Sequence, residues 1–167
     1  MVQPQTGMPS LLFTHRVRDY LDTSSPQVPP GMPLRSVQRL LVEAQVHSVP
    51  VVADGLVVGV VSSLDLMRIA SDEDDMTTIN VPWPEPEETL GELTVEDAMD
   101  CEPACIGSDA SLVEAARIMY ERRIDRLLVV DHGRLQGVIT SHDVLQVFTP
   151  RRYRESLQVM RPALEIT

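Results

Sequence analysis

Sliding the 167-residue chain against itself by 78 positions aligns Val17–Arg68 with Val95–Gln146 without a gap, and 13 of those 52 positions are identical. Ordinary residue frequencies would give roughly three or four. The identities include Val17/Val95, Asp22/Asp100, Gly55/Gly133, Gly59/Gly137 and Asp65/Asp143, and conservative pairs such as Val28/Ile106 and Val61/Ile139 lie between them. A chain duplicated at this period folds as two copies of one supersecondary unit. Each copy has about 54 residues, and its small sheet leaves an apolar face that the other copy must cover.

Both copies read alike. A short helix around Val17–Leu21 or Val95–Met99 leads into a brief extended piece at Gln27–Val28 or Ala104–Ile106. A helix follows from about Leu34 to Gln45, with Leu34, Val37, Leu40, Leu41 and Ala44 on one face. In the second copy Asp109 or Ser111 can cap that helix, with Glu114 in its first turn. Two strands come next, Val49–Ala53 and Leu56–Val61, or Leu127–Asp131 and Leu135–Ile139. Asp54-Gly55 and His132-Gly133 supply the positive φ of a tight hairpin. Near-continuous Val/Leu/Ile runs predict strands covered on both faces. A closing helix starts at Ser63 or Ser141. The expected fold is α/β (α+β): two pseudo-symmetric units, each a small three-stranded sheet with helices, packed sheet to sheet.

The organisation follows. Residues 1–15 form an N-terminal extension, 16–70 the first unit, 71–93 an acidic Pro-rich linker, 94–148 the second unit and 149–167 a tail. Alternating proline in Pro82-Trp83-Pro84-Glu85-Pro86 favours an extended linker. Asp72-Glu73-Asp74-Asp75 lacks the spacing of a calcium loop and reads as a solvated charge run. Arg151-Arg152-Tyr153-Arg154 through Met160 reads as a helix with a basic start.

Composition excludes several functions. A formal net charge of −11 argues against nucleic-acid binding. No stretch spans a bilayer, and Leu11-Leu12-Phe13 is too short for a signal-peptide core, so a soluble cytoplasmic protein is expected. Cys101 and Cys105 make no disulfide framework and fit a reducing compartment. His15, His47, His132 and His142 are scattered without zinc-site spacing. Neither a Gly-x-x-x-x-Gly-Lys-Ser/Thr loop nor a Gly-x-Gly-x-x-Gly turn occurs, and nothing marks a nucleophile. An enzyme is not expected.

The residues nevertheless carry a resemblance. Val95-Glu-Asp-Ala-Met-Asp100, Leu127-Leu-Val-Val-Asp131 and Gly137-Val-Ile-Thr-Ser-His-Asp143 resemble the marks of a CBS domain (named after cystathionine β-synthase). Val17-Arg-Asp-Tyr-Leu-Asp22, Val49-Pro-Val-Val52 and Gly59-Val-Val-Ser-Ser-Leu-Asp65 repeat them in order. The tandem therefore resembles a CBS pair, or Bateman module.

That resemblance implies an adenosine nucleotide, AMP, ADP or ATP, in the cleft between the units, with no obligatory cofactor. Gly59 and Gly137 would leave room for close backbone approach. The helix beginning at Ser63 or Ser141 offers amides and a dipole that suit an anion. The Ser62 or Thr140 hydroxyl would bind phosphate, and Asp65 or Asp143 would accept from the ribose diol. The plain alternative is a helix capped by Ser63 or Ser141 whose dipole the aspartate complements. Family members that bind nucleotides use an Arg and a His ahead of the hairpin. Arg126 keeps the arginine in copy two, and His47 keeps the histidine in copy one. Adenine would lie against Val28, or against Cys105 and Ile106; the plain alternative is that these are ordinary core residues. If one cleft is filled, the expectation is the one with Thr140, Asp143 and Arg126. The resemblance also implies a homodimer and a regulated partner protein. The competing function is an interaction scaffold with empty clefts.

Overall fold

The computed structural model describes residues 14–70 and 93–148. The acidic run, the Pro-rich segment, the C-terminal helix and nearly all of the N-terminal extension read from the sequence lie outside these residues.

The first unit contains α1 (Leu34–Glu43), β1 (Ser48–Ala53), β2 (Leu56–Ser62) and α2 (Ser63–Ala70). The second contains α3 (Val95–Ala98), β3 (Cys105–Ile106), α4 (Leu112–Arg122), β4 (Arg126–Asp131), β5 (Arg134–Thr140) and α5 (Ser141–Leu145). A 3₁₀ turn, Val17–Asp19, stands where the first copy was expected to open with a helix. Ser111 is the N-cap of α4, accepting from the Glu114 amide at 3.2 Å.

β1 and β2 pair antiparallel, as do β4 and β5. Each hairpin turns on two positive-φ residues, Asp54 (51°) with Gly55 (78°), and His132 (52°) with Gly133 (79°). Those angles match a type I′ turn, whose twist suits the flanking strands. In the second unit β3 adds in parallel to β4. In the first unit the equivalent third strand shrinks to one bridge, Val28 to Val51. Leu128 donates its amide to the Ala104 carbonyl (3.0 Å) to extend the ladder in the second unit, and Pro50, at the equivalent position of the first, has no amide to donate. β2 and β5 pack against each other, bringing the two sheets together.

The sequence pattern gives no sign of how the units interlock. Val17 donates its amide to the Ala110 carbonyl (3.0 Å), Arg18 to Ser108 (2.9 Å), and Leu112 to His15 (3.1 Å). Each bond has its counterpart 78 residues away: Val95 to Met32 (2.9 Å), Glu96 to Pro30 (3.0 Å), and Leu34 to Leu93 (3.0 Å). The leading segment of each copy thus docks on the other copy. Val95, fully buried, belongs to the core of Leu34, Val37, Val49, Val51 and Val61. Val17, equally buried, belongs to the core of Leu112, Leu127, Val129 and Ile139. Burying one valine stabilises by about 1.5–3 kcal/mol, and here each copy receives that from the other.

The exchange continues at the sheet edges. Asp22 and Val138 trade amide–carbonyl bonds of 2.8 and 2.9 Å, and Val60 and Asp100 trade bonds of 2.9 Å. The two conserved-in-repeat glycines make room for this contact. A Cβ at Gly137 would stand 2.5 Å from the Asp22 carbonyl oxygen, and one at Gly59 would stand 2.7 Å from that of Asp100. The close approach expected at these glycines is therefore made by the chain itself and not by a ligand.

Candidate functional site

The site is assembled at the open ends of the two hairpins. There Ser48 pairs with Ser62 and, 78 residues on, Arg126 pairs with Thr140. The chain then turns directly into α2 or α5, so Asp65 and Asp143 come round one turn later, beside the hydroxyls.

Each hydroxyl–carboxylate pair closes a capping box. Asp143 Oδ2 accepts from the Thr140 amide (2.8 Å) and hydroxyl (2.6 Å), while the Asp143 amide donates back to Thr140 Oγ1 (3.3 Å). Asp65 Oδ2 accepts from the Ser62 amide (2.9 Å) and hydroxyl (2.5 Å), and its amide donates to Ser62 Oγ (3.3 Å). The helix cap is therefore Ser62 or Thr140, one residue earlier than Ser63 or Ser141. The Ser63 amide donates to the His47 carbonyl (2.9 Å) and that of Ser141 to Asp125 (2.8 Å). These first-turn amides are spent inside the fold, so they do not make the anion cradle expected from the sequence. What the box does is fix the carboxylate: one oxygen is held, and the other is left at a set position.

The copies differ in where that second oxygen lies. Asp65 Oδ1 is 3.7 Å from Arg68 Nη1, and Asp65 lines neither cleft. Asp143 lines a cleft of about 330 Å³ together with Thr140 and Arg126, with Gln146 Nε2 at 3.4 Å from Oδ1. The exchanged segment contributes Asp22, Ser24, Ser25 and Pro26 to the same cleft, and the end of α1 contributes Ala44 and Val46. Arg126 Nη1 donates to the Ser48 carbonyl at 2.8 Å, across the unit boundary. Asp22 Oδ1 accepts from the Ser24 hydroxyl (2.6 Å) and amide (2.8 Å). Those bonds, the hydroxyl's first, hold its carboxyl below the usual carboxylate range, and the Arg126 charge adds to the effect.

A second cleft, of about 1000 Å³ and more open, holds His47, Ser62, Ser63 and Leu64 on one side. The α4 end faces them with Met119, Tyr120, Arg123 and Ile124. The residues expected to receive adenine reach neither cleft. Val28 (1% exposed) and Ile106 (6%) are core residues. The Val28 backbone is also engaged, donating to Pro50 (3.0 Å) and accepting from Val52 (2.9 Å). Cys105 is exposed away from both clefts, and partial burial pushes its thiol up while Arg122 works the other way. The apolar wall of the smaller cleft is instead Pro26, Ala44, Val46 and Val138. Asp22 was visible only as a repeated identity. Its place in the site follows from the exchange, which no local motif announces.

Among the described residues no group of three or more His, Cys, Asp or Glu is placed to hold a metal ion. None of the described helices is long and apolar enough to cross a membrane.

The family model described as the CBS domain matches residues 17–72 and 95–149. The chain belongs to the CBS-domain family. The chloroplastic CBS domain-containing protein CBSX2 of Arabidopsis thaliana is 31% identical over 153 residues, 80% of this chain and 59% of that protein. A crystal structure of CBSX2 in complex with AMP superposes with a TM-score of 0.63 at 28% identity, covering 88% of this chain and 99% of the other. Protein MJ1225 of Methanocaldococcus jannaschii is 29% identical over 136 residues, 79% of this chain and 46% of that protein. Its crystal structure gives a TM-score of 0.69 at 26% identity, covering 80% and 48% of the two chains. A CBS domain-containing protein of Bacillus anthracis, 18% identical with a TM-score of 0.69 over 82% of this chain and 94% of its own, shares the fold. The chain spans about half the length of these two curated relatives. The mixed α/β architecture of two CBS units is thus that of a Bateman module.

Proposed function

We propose that this CBS pair is a non-catalytic, cytoplasmic regulatory module that binds an adenosine nucleotide of the AMP, ADP or ATP type in the smaller cleft and signals its occupancy to a partner protein. One observation carries the reading. Thr140, Asp143 and Arg126, chosen for that role by motif, line a single cavity of about 330 Å³ between the units. That volume is at the lower end of the range for small-ligand sites. With Asp143 Oδ2 held in its cap, Oδ1 is the oxygen available to a ribose diol, and Pro26, Ala44 and Val46 offer an apolar wall to a base. The AMP complex of CBSX2 supports the same ligand class.

Occupancy has a mechanical consequence. The cleft is walled by α1 of one unit, by β5 and α5 of the other, and by the exchanged segment. A ligand touching all of them favours one arrangement of the units, which is what a partner could read. At a hundredfold above its Kd, a ligand would raise stability by about 2.7 kcal/mol. For a chain of this size that is a rise in Tm of about 5–10 °C. A thermal-shift series with AMP, ADP, ATP and adenosine, repeated on Asp143→Ala, tests the reading. The shift should occur with the wild type and vanish in the variant. No shift with any of them would leave the scaffold alternative.

A specific observation favours a second copy as one partner. Exposed apolar side chains recur at repeat-equivalent positions on the outer helices, Val42 with Tyr120 and Met67 with Leu145. A surface with that internal two-fold relation suits an isologous contact.

A further inference from the structure

The smaller cleft has an imbalance of charge. Among its lining residues Asp22 and Asp143 are carboxylates and Arg126 is the only cation. Asp22 is held there by its backbone pair with Val138 and by the Ser24 bonds that keep it ionised. Arg126 donates one of its five N–H groups to the Ser48 carbonyl at 2.8 Å, and its charge is felt by Asp22. The cleft therefore has one net negative charge in about 330 Å³. Asp100, the repeat counterpart of Asp22, does not line the larger cleft, so the feature belongs to one site.

We propose that Asp22 is a specificity-determining residue, making the smaller cleft select adenosine compounds with a neutral or cationic 5′ group over AMP, and AMP over ADP and ATP. The inference rests on the adenosine reading of this cleft given above. Its physical basis is like-charge repulsion at partly exposed positions. With an effective dielectric near 20 and a Debye length of about 10 Å at 0.1 M salt, each added negative charge lowers affinity about three- to tenfold. Neutral contacts to ribose and base are unaffected.

Isothermal titration of the full chain with adenosine, 5′-amino-5′-deoxyadenosine, AMP and ATP, at 50 and 300 mM NaCl, tests this. Binding lost in Asp143→Asn is assigned to the smaller cleft. The expected wild-type order is the amine, adenosine, AMP and then ATP, with the gaps narrowing at high salt. Asp22→Asn, which keeps an oxygen to accept from Ser24, should raise the affinity for AMP, whose phosphate carries about −1.5 to −2, roughly five- to a hundredfold and change adenosine less than twofold. Asp22→Ala, a second variant lacking that oxygen, should show the same change in the AMP-to-adenosine ratio. An unchanged ratio in both variants, or wild-type ATP binding tighter than adenosine, overturns the selectivity while leaving the adenosine reading intact. Failure of all four compounds to bind the wild type, or binding indifferent to Asp143→Asn, overturns the adenosine reading of this cleft, and the selectivity with it.

Discussion

The exchange of leading segments depends on a bare backbone at Gly137, and Gly137→Ala is the sharpest way to challenge it. An added Cβ would stand 2.5 Å from both the Asp22 carbonyl oxygen and Leu21 Cδ1, so ordinary contact requires the segment to retreat by about an ångström. That retreat breaks the two Asp22–Val138 bonds, worth about 1 kcal/mol each, and partly unseats Val17 from the second core. Replacing glycine also stiffens the unfolded chain, which returns about 0.4–1 kcal/mol, and the positive φ of Gly137 (158°) offsets that gain with strain of about 1 kcal/mol. The net loss should be about 2–3 kcal/mol, or a fall in Tm of about 4–12 °C. Urea unfolding followed by circular dichroism would measure it. Gly31→Ala is the control, because nothing lies within 4 Å of a Cβ placed there, and its stability should stay within about 1 kcal/mol of wild type. A Gly137→Ala protein within 0.5 kcal/mol of wild type would refute the argument.

Two further outcomes follow from the same architecture. Val95→Ala should cost about 2–3 kcal/mol and lower hydrogen-exchange protection first in β1 and β2, the unit that receives Val95; protection lost first in β4 and β5 would contradict the exchange. Asp22 and Asp97 both lie below the usual carboxylate range, the former chiefly through the Ser24 hydroxyl and the latter through the Thr94 amide. A folded pKa depressed in this way adds stability above the unfolded value and loses it as pH falls through the folded one. Urea midpoints should therefore be insensitive to these groups above about pH 5 and decline below about pH 4. Asp22→Asn/Asp97→Asn should show a shallower acid decline, and an identical slope would count against the assignment.

Much of the unit was legible because its signals are local. The Asp54-Gly55 and His132-Gly133 turns, the apolar face of α1 and the Ser111 cap depend on neighbours within a few residues, and each stands as read or within one or two positions. The site was legible in part. Thr140, Asp143 and Arg126 share a cleft because β4, β5 and α5 are consecutive, whereas Asp22 arrives from more than a hundred residues away. Val28 and Ile106 were misplaced because an apolar residue beside a site and one beneath it look alike in sequence. Their burial is decided by which strand they join, Val28 meeting Val51 and Ile106 meeting Val129. The cap was displaced by one residue because Ser62-Ser63 and Thr140-Ser141 each offer two adjacent hydroxyls, and backbone direction selects the first.

The crossed valines bear on the independence of the halves. A half-length polypeptide cut at the repeat boundary would carry a plug shaped for somebody else's socket and an empty socket of its own. Two such halves solve each other's problem only by embracing reciprocally. Neither half of the duplicated chain can therefore complete its own core, and each depends on the other for the valine that fills it.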